Sequence, residues 1–127
     1  MSEKQKLLIV DDSELNRDIL KEILGSSYDY LEAENGTQAI QILEVHPEID
    51  LMLLDINMPQ MNGFQVLEHM RELQWIDEVP VVMISSEESV EIMRKAYDLG
   101  ITDYISRPFD AVIVKKRVQN TLGLYAN

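Results

Sequence analysis

Several apolar runs in this chain end at residues that could do chemistry. The residues that follow these runs are Asp11, Asp12, Asp55, Ser85 and Arg107. In an open α/β sheet, ligands bind in the crevice outside the carboxyl ends of the strands. If the runs are parallel strands of one sheet, these five side chains therefore meet at a single site.

Three carboxylates in one crevice require a cation. At a separation of about 4 Å and an effective dielectric constant of about 20, two of them repel each other by about 4 kcal/mol. Oxygen ligands select a hard ion, and Mg²⁺ suits Asp11, Asp12 and Asp55 better than Ca²⁺, with Mn²⁺ as a substitute. Alternatively, Asp12 or Ser13 only caps a helix and Asp55 only begins a turn. The joint placement of three aspartates, a hydroxyl and a guanidinium at strand ends favours the metal site.

The elements that would position this site alternate along the chain. Short apolar runs are separated by longer stretches of helical periodicity, which is typical of a parallel sheet covered on both faces. The sequence thus predicts an α/β fold with a doubly wound, five-stranded parallel sheet. Strands are predicted near residues 7–11, 28–33, 50–54, 80–84 and 103–106. Helices are predicted near residues 14–24, 36–45, 64–73 and 87–99, and a fifth follows Pro108.

The apolar spacing also predicts which face of each helix is buried. The first helix is predicted to bury Leu15, Ile19 and Ile23 and to end at Gly25, a favourable residue for a helix terminus. The other predicted stripes are Ala39, Ile40 and Leu43; Val66, Leu67, Met70 and Leu73; Val90, Met93 and Tyr97; and Val114, Val118, Leu122 and Tyr125.

Length and hydrophobic content indicate one compact domain over residues 1–127, with the alternative that it is the amino-terminal part of a longer protein. The 127 residues are 46% hydrophobic and include 11 basic and 23 acidic side chains, a net charge of −12. Such a charge repels nucleic acid and anionic membranes, so neither is expected as a partner. The sequence has no cysteine, and no apolar run resembles a signal peptide or a membrane span. We therefore expect a cytoplasmic protein.

Several motifs together resemble the receiver domain of bacterial two-component response regulators of the CheY-like type. The resemblance covers essentially the whole chain. Its most specific part runs from Asp55 through Pro59 to Gly63. The other matching segments are Leu7–Asp12 with Asn16 and Arg17, Ile84–Ser86, Gly100–Tyr104 and Arg107–Phe109. The resemblance implies a flavodoxin-like strand order of 2-1-3-4-5 with helices on both faces.

The resemblance also implies roles for the acidic residues. Asp55 would be the phosphoacceptor, a nucleophile that takes a phosphoryl group from a phosphohistidine on a partner kinase. Asp12 and Asp55 would bind Mg²⁺ directly, Asp11 through water and Asn57 through its backbone carbonyl. The ion would neutralise charge on the transferred phosphoryl oxygens, so the reaction would depend on it.

Three further residues would couple phosphorylation to the protein surface. Ser85 would donate a hydrogen bond to the phosphoryl group, and Tyr104 would be the switch aromatic that turns inward as Ser85 moves. From residue type alone, Ser85 fits a local turn bond and Tyr104 ordinary packing. Arg107 departs from the family, which has lysine there to reach the phosphorylated aspartate. Arginine keeps the charge without being interchangeable with lysine, and the simpler interpretation is a surface arginine before a proline turn.

Dephosphorylation has its own candidate residues. Asn57 and Glu87 lie two residues beyond Asp55 and Ser85. By the resemblance, this pair would orient an attacking water and shorten the life of the phosphoryl group. The alternative is that Glu87 is only a solvated acid in the first turn of a helix.

The first functional hypothesis is a phosphorylation-operated switch, which is not an enzyme but assists its own phosphorylation and dephosphorylation. Its partners would be a sensor histidine kinase or phosphotransfer protein and an output domain or protein. The output domain or protein, for which a fused cyclic-dinucleotide enzyme is one option, would contact the fourth helix, fifth strand and fifth helix. A homodimer is a further option. The alternative, motivated by Arg107, is a phosphorylation-independent interaction module with the same fold. A metal-dependent phosphatase fits poorly, because Asn57 stands where a second catalytic acid would be expected.

Overall fold

Five parallel strands form the centre of the structure, a computed structural model that describes residues 4–86 and 89–124. The strands are β1 (Gln5–Val10), β2 (Tyr28–Ala33), β3 (Leu51–Asp55), β4 (Val81–Ser85) and β5 (Asp103–Ser106). The helices are α1 (Glu14–Leu24), α2 (Gly36–Val45), α3 (Gly63–Glu72), α4 (Val90–Asp98) and α5 (Ala111–Leu124), with a 3₁₀ turn at Trp75–Asp77. The sheet order β2-β1-β3-β4-β5 confirms the predicted fold class.

The core lies on both faces of the sheet. Along β1, Leu8 and Val10 enter one buried cluster and Leu7 and Ile9 enter the other. The first cluster contains buried residues of α2, α3 and α4, and the second contains those of α1 and α5. Because successive strand residues point to opposite faces, a strand covered on both sides is apolar throughout. This explains the unbroken apolar runs in the sequence.

The predicted buried face of α1 is wrong. Leu15 is 68% exposed and Ile19 is 37% exposed, while Ile23 is partly buried. The residues that α1 buries are Arg17, Leu20 and Leu24. Both groups of residues repeat at helical spacing. The first group contains only apolar residues, whereas the second includes the charged Arg17, so the sequence favoured the first as the buried face. The helix does end at Gly25, as predicted.

The other predicted faces are confirmed in part. The residues buried as predicted are Ala39, Leu43, Val66, Leu67, Met70, Val114, Val118 and Leu122, with Ile40 partly buried. Leu73 follows α3 and is exposed, contrary to the prediction. In α4 the buried residue is Ala96, whereas Val90 and Tyr97 are exposed and Met93 is partly buried. A small alanine adds little to an apolar pattern although it faces the core. Tyr125 lies outside the described residues.

The strand ends matter most for the site. β3 and β4 each lie one residue later than predicted, so Asp55 and Ser85 are the last residues of their strands. Within the ranges that the structure describes, no helix has the length and apolar character needed to span a bilayer.

Candidate functional site

The carboxyl ends of two neighbouring strands bring three aspartates together. Asp11 follows β1, and Asp55 ends β3, which lies next to β1 in the sheet. One carboxylate oxygen from each of Asp11, Asp12 and Asp55 lies within 4.8 Å of the other two. Asp11 and Asp55 are each 1% exposed, whereas Asp12 is open to solvent. An oxygen-only donor set with one exposed member fits Mg²⁺, which binds few carboxylates and keeps several waters.

Hydrogen bonds in the turn after β1 hold Asp11 in place. The backbone N–H of Ser13 donates to Oδ1 of Asp11 at 2.9 Å. Nη1 of Arg17 donates to the backbone carbonyl of Asp11 at 2.6 Å. The Ser13 hydroxyl accepts from the backbone N–H of Asn16 at 3.2 Å and so caps α1. Since Ser13 is the cap, Asp12 is not needed for this purpose.

The loop after β3 approaches Asp55 closely. The backbone N–H of Asn57 donates to Oδ1 of Asp55 at 3.3 Å, so the aspartate also begins a turn. The backbone N–H of Gly63 donates to the carbonyl of Ile56 at 2.9 Å. A Cβ atom on Gly63 would lie 2.5 Å from the carbonyl oxygen of Asp55. Glycine is therefore needed where α3 begins against the end of β3.

Arg107 lies against the acidic residues and is not the surface arginine of the simpler interpretation. Its Nη2 donates a short hydrogen bond to Oδ2 of Asp11 and lies 3.3 Å from Oδ1 of Asp55. Its side chain is 22% exposed. Its backbone N–H donates to the carbonyl of Ser85 at 3.0 Å, which ties the loop after β5 to the end of β4.

The electrostatics of the site reflect crowded, buried carboxylates. The pKa of Asp55 is raised to about 6 by burial and by the Asp11 carboxylate, against the opposing effects of Arg107 and of the Asn57 N–H. Burial likewise raises the pKa of Asp11, against the hydrogen bond from Ser13 and the charge of Arg107. Burial and a like charge both disfavour an ionised carboxylate. A cation bound among these oxygens would relieve both effects.

Ser85 and Tyr104 lie on the same face of the sheet. Met83 pairs with Tyr104 and Ser85 pairs with Ser106 in the register of β4 and β5, and alternate residues share a face. Both side chains are buried. Tyr104 belongs to the same core cluster as Ala96 of α4. Ser85, Tyr104 and the buried Ala96 of α4 therefore lie on the same side of the sheet.

Arg17 also supports the site, a role that the sequence did not predict. Besides its bond to the Asp11 carbonyl, it donates through Nε to Oε1 of Glu32 at 2.9 Å. Glu32 also pairs with Lys21 at 2.8 Å. The position of Arg17 three residues before Leu20 could have placed it on the buried face. Glu87 lies outside the described residues.

Comparison with known proteins decides the family. The protein-family model of the response regulator receiver domain matches residues 7–119 of the sequence. The chain belongs to this family. It is thus the receiver domain of a two-component signalling protein, and its architecture is CheY-like.

Relatives carry the domain alone and within longer proteins. Chemotaxis protein CheY1 of Helicobacter pylori is 34% identical over 120 residues, which cover 93% of this chain and 97% of that protein. A probable cyclic di-GMP phosphodiesterase of Vibrio cholerae is 34% identical over 116 residues, which cover 91% of this chain and 26% of that protein. The solved structure of chemotaxis protein CheY4 of Vibrio cholerae superposes with a TM-score of 0.85 at 27% identity, covering 94% of this chain and 99% of that one.

Proposed function

We propose that this receiver accepts a phosphoryl group on Asp55 from a phosphohistidine of a sensor histidine kinase or phosphotransfer protein, in a reaction that requires Mg²⁺. The observation that carries the proposal is the convergence of Asp11, Asp12 and Asp55 within 4.8 Å in a chain of this family. Arg107 motivated the alternative of a phosphorylation-independent module. Its position 3.3 Å from Asp55 favours a role in the phosphorylation site instead.

In the proposed transfer, each residue of the site has a role. A carboxylate oxygen of Asp55 would form the new P–O bond while the P–N bond of the phosphohistidine breaks. The electron pair of the P–N bond would return to the imidazole nitrogen. Asp12 and Asp55 would hold Mg²⁺ directly, Asp11 through water and Asn57 through its backbone carbonyl. When bound, the ion neutralises charge on the phosphoryl oxygens. Asn57 would also help to orient the water that later hydrolyses the acyl phosphate.

The phosphorylated site would then change the surface formed by α4, β5 and α5. Ser85 and Arg107 would donate hydrogen bonds to the phosphoryl oxygens, each worth about 1.5 to 3 kcal/mol when charge-assisted. Complete conversion of a two-state element needs about 5.5 kcal/mol, which these bonds and the metal could supply together. Tyr104, in the same core cluster as Ala96 of α4, would transmit the change. The surface would bind an output domain or protein, or a second copy of the chain.

Labelling with a small phosphodonor tests the site directly. The protein is incubated with acetyl phosphate and Mg²⁺, trapped with borohydride and analysed by peptide mass spectrometry. We expect one modification, at Asp55, that disappears in EDTA and in Asp55→Asn. The control Asp29→Asn changes an exposed aspartate of β2 and should label like the wild type. Labelling of Asp55→Asn, or equal labelling in EDTA, would overturn the proposal.

A further inference from the structure

Arg17 of α1 is a buried charged residue, 9% exposed, that bonds to two other parts of the chain. Its Nη1 donates to the backbone carbonyl of Asp11, which follows β1, at 2.6 Å. Its Nε donates to Oε1 of Glu32, on the edge strand β2, at 2.9 Å. A hydrogen bond that involves a charged group is stronger than a neutral one, and burial makes its loss costly. Arg17 therefore ties the acidic turn after β1 to β2.

Glu32 fixes the direction in which Arg17 points. Its second oxygen, Oε2, accepts from Nζ of Lys21 at 2.8 Å, and Lys21 lies one helical turn beyond Arg17 on α1. Both carboxylate oxygens of Glu32 are thus engaged. Because the guanidinium is planar and its donors are rigidly arranged, the bond from Nε to Glu32 sets where Nη1 lies.

The carbonyl that accepts from Arg17 belongs to the peptide unit that joins Asp11 to Asp12. This unit is planar, so the direction of the Asp11 carbonyl sets the direction in which the chain continues to Asp12. The N–H of Asp11 donates to the carbonyl of Ala33 at 3.1 Å, so the Asp11 backbone is held on both sides. Asp11 and Asp55 are buried, whereas Asp12 is open to solvent. Packing positions the two buried carboxylates, and the backbone must position the exposed one.

We propose that Arg17 is a positioning residue of the metal site. Its bond to the Asp11 carbonyl holds Asp12 where it can share a divalent cation with Asp55. The inference rests on the proposed Mg²⁺-dependent function and adds a residue that touches neither the ion nor the phosphoryl group. Residues that orient metal ligands in this way typically contribute 10- to 100-fold to metal affinity.

Electrostatics alone predicts the opposite effect of removing Arg17. A guanidinium repels a cation, so a variant without this charge would bind Mg²⁺ more tightly if only charge mattered. Loss of positioning weakens binding instead. The sign of the change in Mg²⁺ affinity therefore separates the two.

Calorimetric titration with Mg²⁺ alone, without a phosphodonor, measures this change. Arg17→Met removes both bonds and keeps a long unbranched side chain, and we expect about tenfold weaker binding, a difference of about 1.4 kcal/mol. Arg17→Lys keeps the charge and one donor group, so it should recover part of the loss. The control Arg94→Met changes an exposed arginine of α4 and should stay within about twofold of the wild type, because screening acts over about 8 Å. Unchanged or tighter binding in Arg17→Met, or equal losses in Arg17→Met and Arg94→Met, would overturn the inference.

A variant of Glu32 provides a second test, because Arg17 is buried and its replacement can destabilise the fold. The Glu32 side chain is 34% exposed, and Glu32→Gln keeps its shape while weakening its hold on the guanidinium. We expect about fivefold weaker Mg²⁺ binding. The control Glu34→Gln removes the same charge from an exposed residue just after β2 and should stay within about twofold of the wild type. Wild-type affinity in Glu32→Gln, or equal losses in the two glutamate variants, would contradict the proposed role.

The outcomes also separate this inference from the proposed function. If the wild type binds Mg²⁺ and is labelled at Asp55 while Arg17→Met binds Mg²⁺ equally well, only the positioning role fails. If the wild type binds no Mg²⁺ at the aspartates, the metal-dependent function fails together with it.

Discussion

Asp11 and Asp55 are carboxylates from neighbouring strands, each 1% exposed, with oxygens within 4.8 Å of one another. Among the residues that the structure describes, Asp12 and Arg107 are the charged side chains found beside these two carboxylates. Two buried charges of the same sign oppose folding unless a cation offsets them. Much of the behaviour expected of this domain follows from that proximity.

The first prediction concerns pH. The folded protein raises the pKa of Asp55 from 3.8 to about 6, so it holds this proton more tightly than the unfolded chain does. The contribution of Asp55 to the free energy of unfolding is therefore fully present below about pH 4, and it is lost as the pH rises to about 6 and beyond. In EDTA, Asp55→Asn should match the wild type near pH 4 and exceed it above pH 6 by roughly 2 kcal/mol in the free energy of unfolding. Urea denaturation across this range measures the difference; parallel pH profiles for the two proteins would contradict it.

The second prediction concerns metal without phosphate. Mg²⁺ at millimolar concentration should raise the melting temperature by about 3 °C or more, because a ligand that binds only the folded state stabilises it. Asp12→Asn should reduce this rise, since the exposed Asp12 carboxylate is a proposed ligand. The control Asp29→Asn should respond like the wild type. An undiminished rise in Asp12→Asn would remove that residue from the metal site.

The third prediction concerns the loop after β3. Gly63→Ala places a Cβ 2.5 Å from the Asp55 carbonyl oxygen and 2.9 Å from Cα of Ile56, both backbone atoms that cannot rotate away. We expect a loss of about 2 to 3 kcal/mol in the free energy of unfolding. Gly123→Ala is the matched control, because a Cβ at that helical position meets nothing within 4 Å. It should be neutral or stabilising by up to about 1 kcal/mol. Equal effects of the two changes would show that the close contact is unimportant.

Sequence patterns predicted the sheet and the convergence of the aspartates, because strand ends and apolar runs are local signals. They did not predict the buried face of α1, where Arg17 occupies a core position by bonding to the Asp11 carbonyl and to Glu32. Nor did they predict the ion pair between Arg107 and Asp11. That contact joins two loops far apart in the chain, and no periodicity encodes which oxygen a long side chain reaches. The strand order came from the family resemblance rather than from spacing.

The fourth prediction concerns the lifetime of the phosphoryl group. Glu87 lies two residues beyond Ser85 in the sequence, outside the described residues, and by the family resemblance it would help Asn57 to orient the attacking water. Glu87→Leu should prolong the phosphorylated state severalfold, as measured by loss of the phosphorylated species after removal of the donor. Glu91→Leu, on the exposed surface of α4, serves as control and should leave the lifetime unchanged. Faster hydrolysis in Glu87→Leu would refute the role.

The fifth prediction separates phosphorylation from its consequence at the surface. Arg107→Ala should retain some labelling of Asp55, because the metal would provide most of the charge stabilisation. The same variant should fail to shift the α4, β5 and α5 surface, because it lacks a charge-assisted bond worth about 1.5 to 3 kcal/mol. Arg107→Lys should restore at least part of the response, since an ammonium keeps the charge.

Amide chemical shifts around Tyr104, recorded with and without beryllofluoride as a phosphate mimic, measure this coupling. In the wild type, the added anion should shift these amides together with those of α4, because Tyr104 and Ala96 share one core cluster. In Arg107→Ala the amides near Asp55 should still respond while those of α4 do not. If the α4 amides of Arg107→Ala shifted as in the wild type, the arginine would be a bystander in the switch. The signal would then have to travel through Ser85, whose carbonyl accepts from the Arg107 N–H and whose side chain lies on the same face of the sheet as Tyr104.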